Sequence, residues 1–143
     1  MTTGRRAYDD VTVGEELPAQ SFPLTRADLV RYAGASGDFN VIHWNERVAR
    51  AVGLPDVIAH GMLTMAKAVQ VVTDWAGDPA AVVEYSTRFT RPVPVPDDDA
   101  GASLQVSATV AEKLDDRRVR VDILARHADQ KVLGMSRAVV QLA

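Results

Sequence analysis

The chain of 143 residues contains no cysteine and carries no strong excess of charge of either sign. The absence of cysteine excludes disulfides, thiolate metal sites and a cysteine nucleophile. The formal net charge is -3 and the basic residues are scattered, so the sequence lacks the basic, aromatic-interleaved stripe of a nucleic-acid platform. It also has no glycine-rich phosphate loop, no serine nucleophile elbow, no internal repeat and no low-complexity tract.

The start of the chain lacks a long apolar run. Residues 1–6 do not contain the apolar core of a signal peptide, so the cytoplasm is the expected compartment. With 47% hydrophobic and 24% charged residues, the composition is ordinary for a soluble globular protein. The length predicts a single domain, residues 1–143, with a sizeable core.

Two short segments carry residues suited to chemistry. Asp38 and His43 lie in one loop, and their ordinary pKa values of ~3.9 and ~6.5 provide both a base and an acid near neutral pH. Further along, residues 59–62 open an apolar segment that predicts a buried helix, whose first backbone N–H groups form a natural oxyanion site. Together the two segments predict chemistry on a carbonyl compound.

The sequence pattern predicts an α+β fold. Residues 11–22 are expected to be extended up to Pro23, and Thr25 is expected to cap a helix that Gly34 and Gly37 end. Its apolar face would comprise Leu29, Val30, Tyr32 and Ala33. A short helix over residues 45–51 follows the acid/base loop, and a long one occupies residues 61–76, with Met62, Met65 and Trp75 in the core and a narrow polar stripe of Thr64, Lys67, Gln70, Thr73 and Asp74.

The second half of the chain is rich in β-branched and alternating residues. Strands are predicted over residues 81–90, 103–114, 117–126 and 131–142, with hairpin turns at 115–116 and 129–130. The order of elements therefore predicts an antiparallel sheet curled around one long central helix. Such a unit leaves a sheet edge and an open groove, which favours a dimer.

Three motifs resemble those of the MaoC-like hydratase/dehydratases, which have the hotdog fold. These are Asp38-x-Asn40-x-x-His43, Ala59-His60-Gly61-Met62 and Phe89-x-Arg91-Pro92-Val93. Within that family the chain looks most similar to the catalytic (HadB-like) B subunit of actinobacterial (3R)-hydroxyacyl-ACP dehydratases. One departure is Val41, where the family usually has a proline that would pre-set the loop backbone.

The resemblance implies a hydro-lyase without a cofactor that interconverts trans-2-enoyl and (3R)-3-hydroxyacyl thioesters of CoA or acyl carrier protein. His43 would exchange the proton at C2 and Asp38 would handle the water or hydroxyl at C3, although a water shared by both fits the sequence equally well. The Gly61 N–H would face the thioester oxygen, and Asn40 would hold the loop. Arg88 and Arg91 are candidates either for contacting the phosphates of the carrier arm or for surface pairing.

Other readings of these residues stay open. A hotdog thioesterase would use a carboxylate near a buried helix start to hydrolyse the thioester, and a non-catalytic partner subunit would only bind it. The resemblance leaves a homodimer and a heterodimer with a related hotdog subunit as alternatives. His60 is expected to bond a neighbour with its ring, and no metal is expected because His43 and His60 do not form a helical i, i+4 pair.

Overall fold

The computed structural model describes residues 4–143; residues 1–3 of the polar N-terminal stretch lie outside the described residues. Single 3-10 turns occupy Tyr8–Asp10, Val41–His43 and Pro79–Ala81. Within residues 4–143, no helix is long and apolar enough to cross a membrane. The helices and strands are β1 (Glu16–Leu24), α1 (Arg26–Ser36), α2 (Glu46–Ala51), α3 (Gly61–Ala76), β2 (Val82–Phe89), β3 (Ala102–Leu114), β4 (Arg118–His127), β5 (Gln130–Lys131) and β6 (Leu133–Gln141).

The strands form one antiparallel sheet in the order β1-β3-β4-β6-β2, with the short β5 paired to β4. Helix α3 contacts all five long strands, so it lies across the face of the sheet. Alternate residues of β3 face this helix and are buried, while those between them are more exposed. The predicted α+β arrangement, with an antiparallel sheet around one long helix, is confirmed.

Local signals set the start and end of α1. Thr25 and Asp28 form a capping box, in which each side chain accepts from the other residue's backbone N–H. The helix ends at Gly37, whose φ of 76° is left-handed and favours glycine. The prediction that Gly34 breaks the helix is wrong, because Gly34 lies inside it. Val30 is also wrongly placed on the buried face, since it is 65% exposed.

Three predictions about the strands and their turns need correction. Pro23 does not close β1 but lies within it, which is possible because β1 is at the edge of the sheet and an edge position need not donate a ladder hydrogen bond. The second hairpin turn falls on Ala128 and Asp129, both with positive φ, one residue earlier than predicted. The predicted extended segment is also shorter at its start, because Val13 precedes the strand and is exposed.

Helix α3 has the predicted bounds, and its exposed face matches the predicted polar stripe only in part. Met62, Ala66, Gln70 and Asp74 are exposed, and their spacing of four residues places them on one side of the helix. Met62, predicted to lie in the core, is therefore 57% exposed. Thr64 is buried instead of belonging to the polar stripe, and Trp75 is buried as predicted.

Candidate active site

The loop between α1 and α2 brings Asp38 and His43 together. Asp38 Oδ2 lies 3.9 Å from His43 Nε2, which is longer than a direct hydrogen bond. The carboxylate is about half exposed, whereas His43 is only 7% exposed. The two groups can therefore contact a single small polar molecule from an accessible side and a buried side.

A backbone carbonyl selects which nitrogen of the His43 ring carries a hydrogen. His43 Nδ1 lies 2.7 Å from the Ile58 carbonyl oxygen, which can only accept, so Nδ1 carries the hydrogen. In the neutral ring, Nε2 then has a free lone pair facing Asp38. The segments are tied a second time, because the Ile58 N–H donates to the Ile42 carbonyl. The ring is thus held as a potential proton acceptor.

Short-range hydrogen bonds fix the backbone of the Asp38 loop. Asp38 Oδ1 accepts from the Asn40 N–H at 3.1 Å, and Asn40 Oδ1 accepts from the Ile42 N–H at 3.3 Å. The Asp38 N–H donates to Ser36 Oγ at 3.1 Å. Asn40 therefore caps the 3-10 turn that carries His43, and its carbonyl oxygen is directed to the loop backbone.

The loop forms its turn with valine at position 41. Asn40 has φ -55° and ψ 127°, which is the backbone region preferred before a proline. The Val41 carbonyl accepts from the N–H groups of Trp44 and Asn45, and within residues 4–143 the Val41 N–H has no acceptor. The backbone of Asn40 and the unbonded Val41 N–H are therefore compatible with a proline at position 41.

The start of α3 presents unpaired donors next to His43. The N–H groups of Gly61 and Met62 have no acceptor in the described part of the chain, as is usual in a first helical turn. Gly61 and His43 line the same cavity. A Cβ at Gly61 would lie 3.0 Å from carbons of the Phe89 ring, so glycine keeps this approach open. The positive end of the helix dipole favours an oxygen with negative charge here.

The cavity has a volume of about 380 Å³ and is mostly apolar. Arg91 lines it, whereas Arg88 borders a separate cleft with Met135 and Arg137, so only one of the two predicted cations faces this space. In the described range neither arginine forms an ion pair with a carboxylate. The remaining lining residues are Leu54, Ile58, Ala59, Thr64, Phe89, Thr90, Pro92, Val93, Val132 and Leu133.

His60 lies against the ring of His43 and also contacts Asp38. Its Nε2 bonds the Asp38 carbonyl oxygen at 3.1 Å, as expected of a ring that bonds a neighbour. Asp38, His43 and His60 each offer a ligand-type atom within 4.8 Å of one another, so the lack of a helical i, i+4 histidine pair does not by itself exclude a metal. His43 Nδ1 and His60 Nε2 are, however, engaged as donors to carbonyls. That no metal binds stays a prediction.

Comparison with known proteins defines the class of this protein. Residues 10–128 match the family described as MaoC like domain, and the chain belongs to that family. Over 98% of its length it superposes on a MaoC-like dehydratase with a TM-score of 0.94 and 40% identity, covering 43% of that chain. The unliganded R-hydratase PhaJ1 from Pseudomonas aeruginosa gives a TM-score of 0.82 at 28% identity, covering 96% of this chain and 86% of that one. The predicted hotdog fold is confirmed.

Two relatives with assigned activities are similar in sequence. The chain is 44% identical over 79 residues to 3-hydroxyacyl-thioester dehydratase X of Mycobacterium tuberculosis, covering 55% of this chain and 27% of that protein. It is 31% identical over 107 residues to the (R)-specific enoyl-CoA hydratase of Rhodospirillum rubrum, covering 74% and 73%. The match thus spans about a quarter of the mycobacterial relative and most of the other.

Proposed function

We propose that the protein is a hydro-lyase that adds water to trans-2-enoyl thioesters and removes it from (3R)-3-hydroxyacyl thioesters. The observation that carries the proposal is the position of His43 Nε2, 3.9 Å from the Asp38 carboxylate, on a cavity that is also lined by Gly61, whose N–H has no acceptor within residues 4–143. Relatives named as an (R)-specific enoyl-CoA hydratase and a 3-hydroxyacyl-thioester dehydratase support this reaction type.

The geometry supports a water held between the two side chains. With His43 neutral and Asp38 ionised, both groups facing the gap are acceptors, so a water can donate one hydrogen to each. In hydration the water oxygen bonds to C3 as the C2–C3 double bond opens, one side chain takes a proton from that water, and the same proton is then delivered to C2. The alternative, in which a protonated His43 serves C2 and Asp38 serves C3, requires a different protonation state of the ring.

The thioester oxygen gains negative charge as C3 is attacked, because the electrons of the double bond move toward the carbonyl. In our proposal the Gly61 N–H donates to this oxygen, helped by the positive end of α3. Losing one such donor typically slows a reaction on the order of 100-fold. Asn40 accepts a hydrogen bond from the Ile42 N–H, and in our proposal it thereby holds the loop backbone that positions His43 and Asp38.

In this proposal the acyl group occupies the apolar cavity, and the pantetheine arm of its carrier extends out of the cavity beside Arg91. Both CoA and an acyl carrier protein present phosphate on a pantetheine arm, and a guanidinium binds phosphate well. The cavity is open, and Arg91 lines it without a carboxylate partner among the described residues. Arg91 is therefore better placed than Arg88 to contact the phosphate.

The cytoplasm is the proposed compartment.

We also propose that two hotdog units associate, either as copies of this chain or with a related chain. Strand β2 is at the end of the sheet, and Val83 and Phe89 on it are exposed. An unpaired edge with apolar residues is normally covered in a native assembly. One solved neighbour of the same fold, at 21% identity, is described as the ChsH1-ChsH2 complex from Mycobacterium tuberculosis.

The test follows the conjugated-enoyl absorbance of a short trans-2-enoyl-CoA together with a thiol-release readout. We expect absorbance to fall without thiol release, and turnover to drop about 100-fold or more in Asp38→Asn and His43→Ala. Asp38→Asn is the sharper variant because its amide oxygen still accepts the Asn40 N–H. His127→Gln, at the last residue of β4 and outside the lining of the cavity, is the histidine control.

The two readouts also decide between the alternatives. Thiol release at a rate that depends on Asp38 would place the protein among thioesterases. Binding of the thioester without turnover, in the presence of any co-purified partner chain, would indicate a binding subunit. Turnover that persists in both variants would contradict the proposed site.

A further inference from the structure

His60 occupies a closed position between α1 and the candidate catalytic loop. It is 1% exposed and immediately precedes α3. Its ring stacks on His43 with centroids 3.8 Å apart and an interplanar angle of 23°, and the ring of Tyr32 meets it edge-on at 4.7 Å. The imidazole is therefore enclosed by neighbouring side chains and is not accessible to a substrate.

Only one of the two nitrogens of the His60 ring has a hydrogen-bond partner within residues 4–143. Nε2 donates to the Asp38 carbonyl oxygen at 3.1 Å, so in the neutral ring Nδ1 is the acceptor. Nδ1 is buried and has no partner in the described part of the chain. An unsatisfied buried polar atom costs about 1–3 kcal/mol, and an apolar ring of similar shape would avoid that cost. Packing alone therefore does not account for a histidine here.

The donor bond does account for it, because it connects three parts of the site. It ties the backbone of Asp38 to the residue before Gly61, and the same ring supports the face of His43. We propose that His60 is a positioning residue, which holds the Asp38 carboxylate at its working distance from His43 through the hydrogen bond to the Asp38 carbonyl. The inference rests on the proposed hydratase function and deepens it.

The surroundings of His60 keep it a fixed donor. Burial, followed by the influence of His43, lowers the pKa of His60, while the bond to the Asp38 carbonyl and the Asp38 charge act in the opposite direction. The ring stays neutral near pH 7, and its single N–H remains on Nε2. Without that donor the loop can shift, and a displacement of about 1 Å in reacting groups can cost on the order of 100-fold in rate.

Two substitutions separate the hydrogen bond from the packing. In His60→Gln the side-chain amide nitrogen stands as many bonds from Cβ as Nε2 does and can donate to the same carbonyl. In His60→Phe the ring and its stacking remain but the donor is lost. We expect kcat to fall about 30-fold or more in the Phe variant with KM changed less than about threefold, and to stay within about tenfold of wild type in the Gln variant.

A purely structural role gives a different pattern. Equal losses of kcat in the two variants, or an unchanged kcat in a folded His60→Phe, would overturn the assignment. If the Phe variant does not fold, the Gln variant decides: a loss as large as that of His43→Ala contradicts the proposal, and retention within tenfold supports it. Unfolding curves establish the folded fraction of each variant, and His127→Gln is the control.

Crystal structures make the inference independent of the reaction. In His60→Phe the distance between Asp38 Oδ2 and His43 Nε2 is expected to differ from 3.9 Å by about 1 Å, and in His60→Gln it is expected to be kept. An unchanged distance in the Phe variant overturns the positioning role even if the wild type is inactive on enoyl thioesters. Lack of wild-type hydration with a shifted loop instead overturns the proposed function alone.

Discussion

The rings of His43 and His60 stack with their centroids 3.8 Å apart, although one belongs to a 3-10 turn and the other precedes the long helix. Two imidazolium ions at this distance would repel each other strongly. The backbone carbonyl oxygens of Ile58 and Asp38 each accept from one N–H of the pair, on His43 and His60 respectively. The pair therefore connects His43, which the proposed reaction uses, to His60, whose burial affects the stability of the fold.

The first prediction concerns stability at mildly acidic pH. Burial lowers the folded-state pKa of His60 below its ordinary value of 6.5, with His43 adding to the shift and Asp38 opposing it; the ring of Tyr32 also packs against His60. The unfolded chain then binds more protons, so this stabilising contribution is complete above pH 6.5 and is lost as the pH falls through the lower folded value.

Urea unfolding of the wild type and of His60→Gln between pH 7.5 and 5 checks this sign. The difference in the free energy of unfolding, wild type minus variant, is expected to decrease as the pH falls, because glutamine does not titrate. A difference that stays constant over this range would contradict the prediction. His127→Gln again serves as a control for histidine replacement.

A second prediction concerns the N-terminus of α1. The Thr25 N–H donates to Asp28 Oδ2 at 2.8 Å, and this bond is the main cause of a lowered pKa for Asp28. Thr25→Ala is expected to lose about 1 kcal/mol of stability at pH 7. In the wild type the contribution of Asp28 is present above pH 3.8 and is lost as the pH falls through the lower folded value.

Asp28→Asn isolates the charge in this cap, because the amide oxygen can still accept. Its stability deficit relative to the wild type should be measurable at pH 7 and smaller at pH 3, as followed by circular dichroism in denaturant. A deficit of the same size at both pH values would show that the carboxylate charge does not contribute.

A third prediction concerns position 41. Val41 begins a 3-10 turn, its N–H lacks an acceptor within residues 4–143, and Asn40 already has a backbone suited to a following proline. Val41→Pro is therefore expected to raise the free energy of unfolding by about 0.4–1 kcal/mol, because it restricts the unfolded chain. The Asp38 and His43 side chains should keep their positions.

The matched control is the next residue. The Ile42 N–H donates to Asn40 Oδ1, so Ile42→Pro removes a bond that holds the loop and should destabilise it. Chemical denaturation of both variants, together with enoyl-CoA turnover, distinguishes the two positions. Equal destabilisation by both prolines would contradict the prediction.

The fourth prediction concerns the approach to the helix start. In Gly61→Ala the new methyl group would lie 3.0 Å from carbons of Phe89, which is half exposed and can move. The fold should therefore survive, while the displaced ring and the methyl group narrow the cavity at the proposed oxyanion donor. We expect kcat/KM for a short enoyl-CoA to fall at least about tenfold.

A second substitution tests the cause of that loss. Phe89→Ala removes the ring that the methyl group meets, so the double variant Gly61→Ala/Phe89→Ala should recover part of the activity relative to Gly61→Ala. Steady-state kinetics of the two single variants and the double variant provide the comparison. Purely additive losses would show that Phe89 is not the group that the methyl displaces.

Local sequence signals predicted much of the secondary structure. The capping residues Thr25 and Asn45 act within one helical turn, and the apolar pattern of residues 61–76 gave the bounds of α3. The alternation in residues 103–114 located β3 to within one residue. These features depend on neighbours in the chain, so the sequence contains them directly. The predictions for Pro23, Val30 and Met62 were wrong because they depend on which side of each helix or strand packs against its neighbours.

The site divides in the same way. Asp38 and His43 share one loop, and both their residue types and their spacing predicted that they act together. The sequence by itself therefore determined the chemical groups, the capped turns and the order of helices and strands. Only the tertiary structure decided that His60 lies against His43 and that the Ile58 carbonyl fixes the tautomer of His43. It also decided that Gly61 and His43 line one cavity. Those contacts arise when α3 packs across the sheet, and side chains far apart in the chain meet only through that packing.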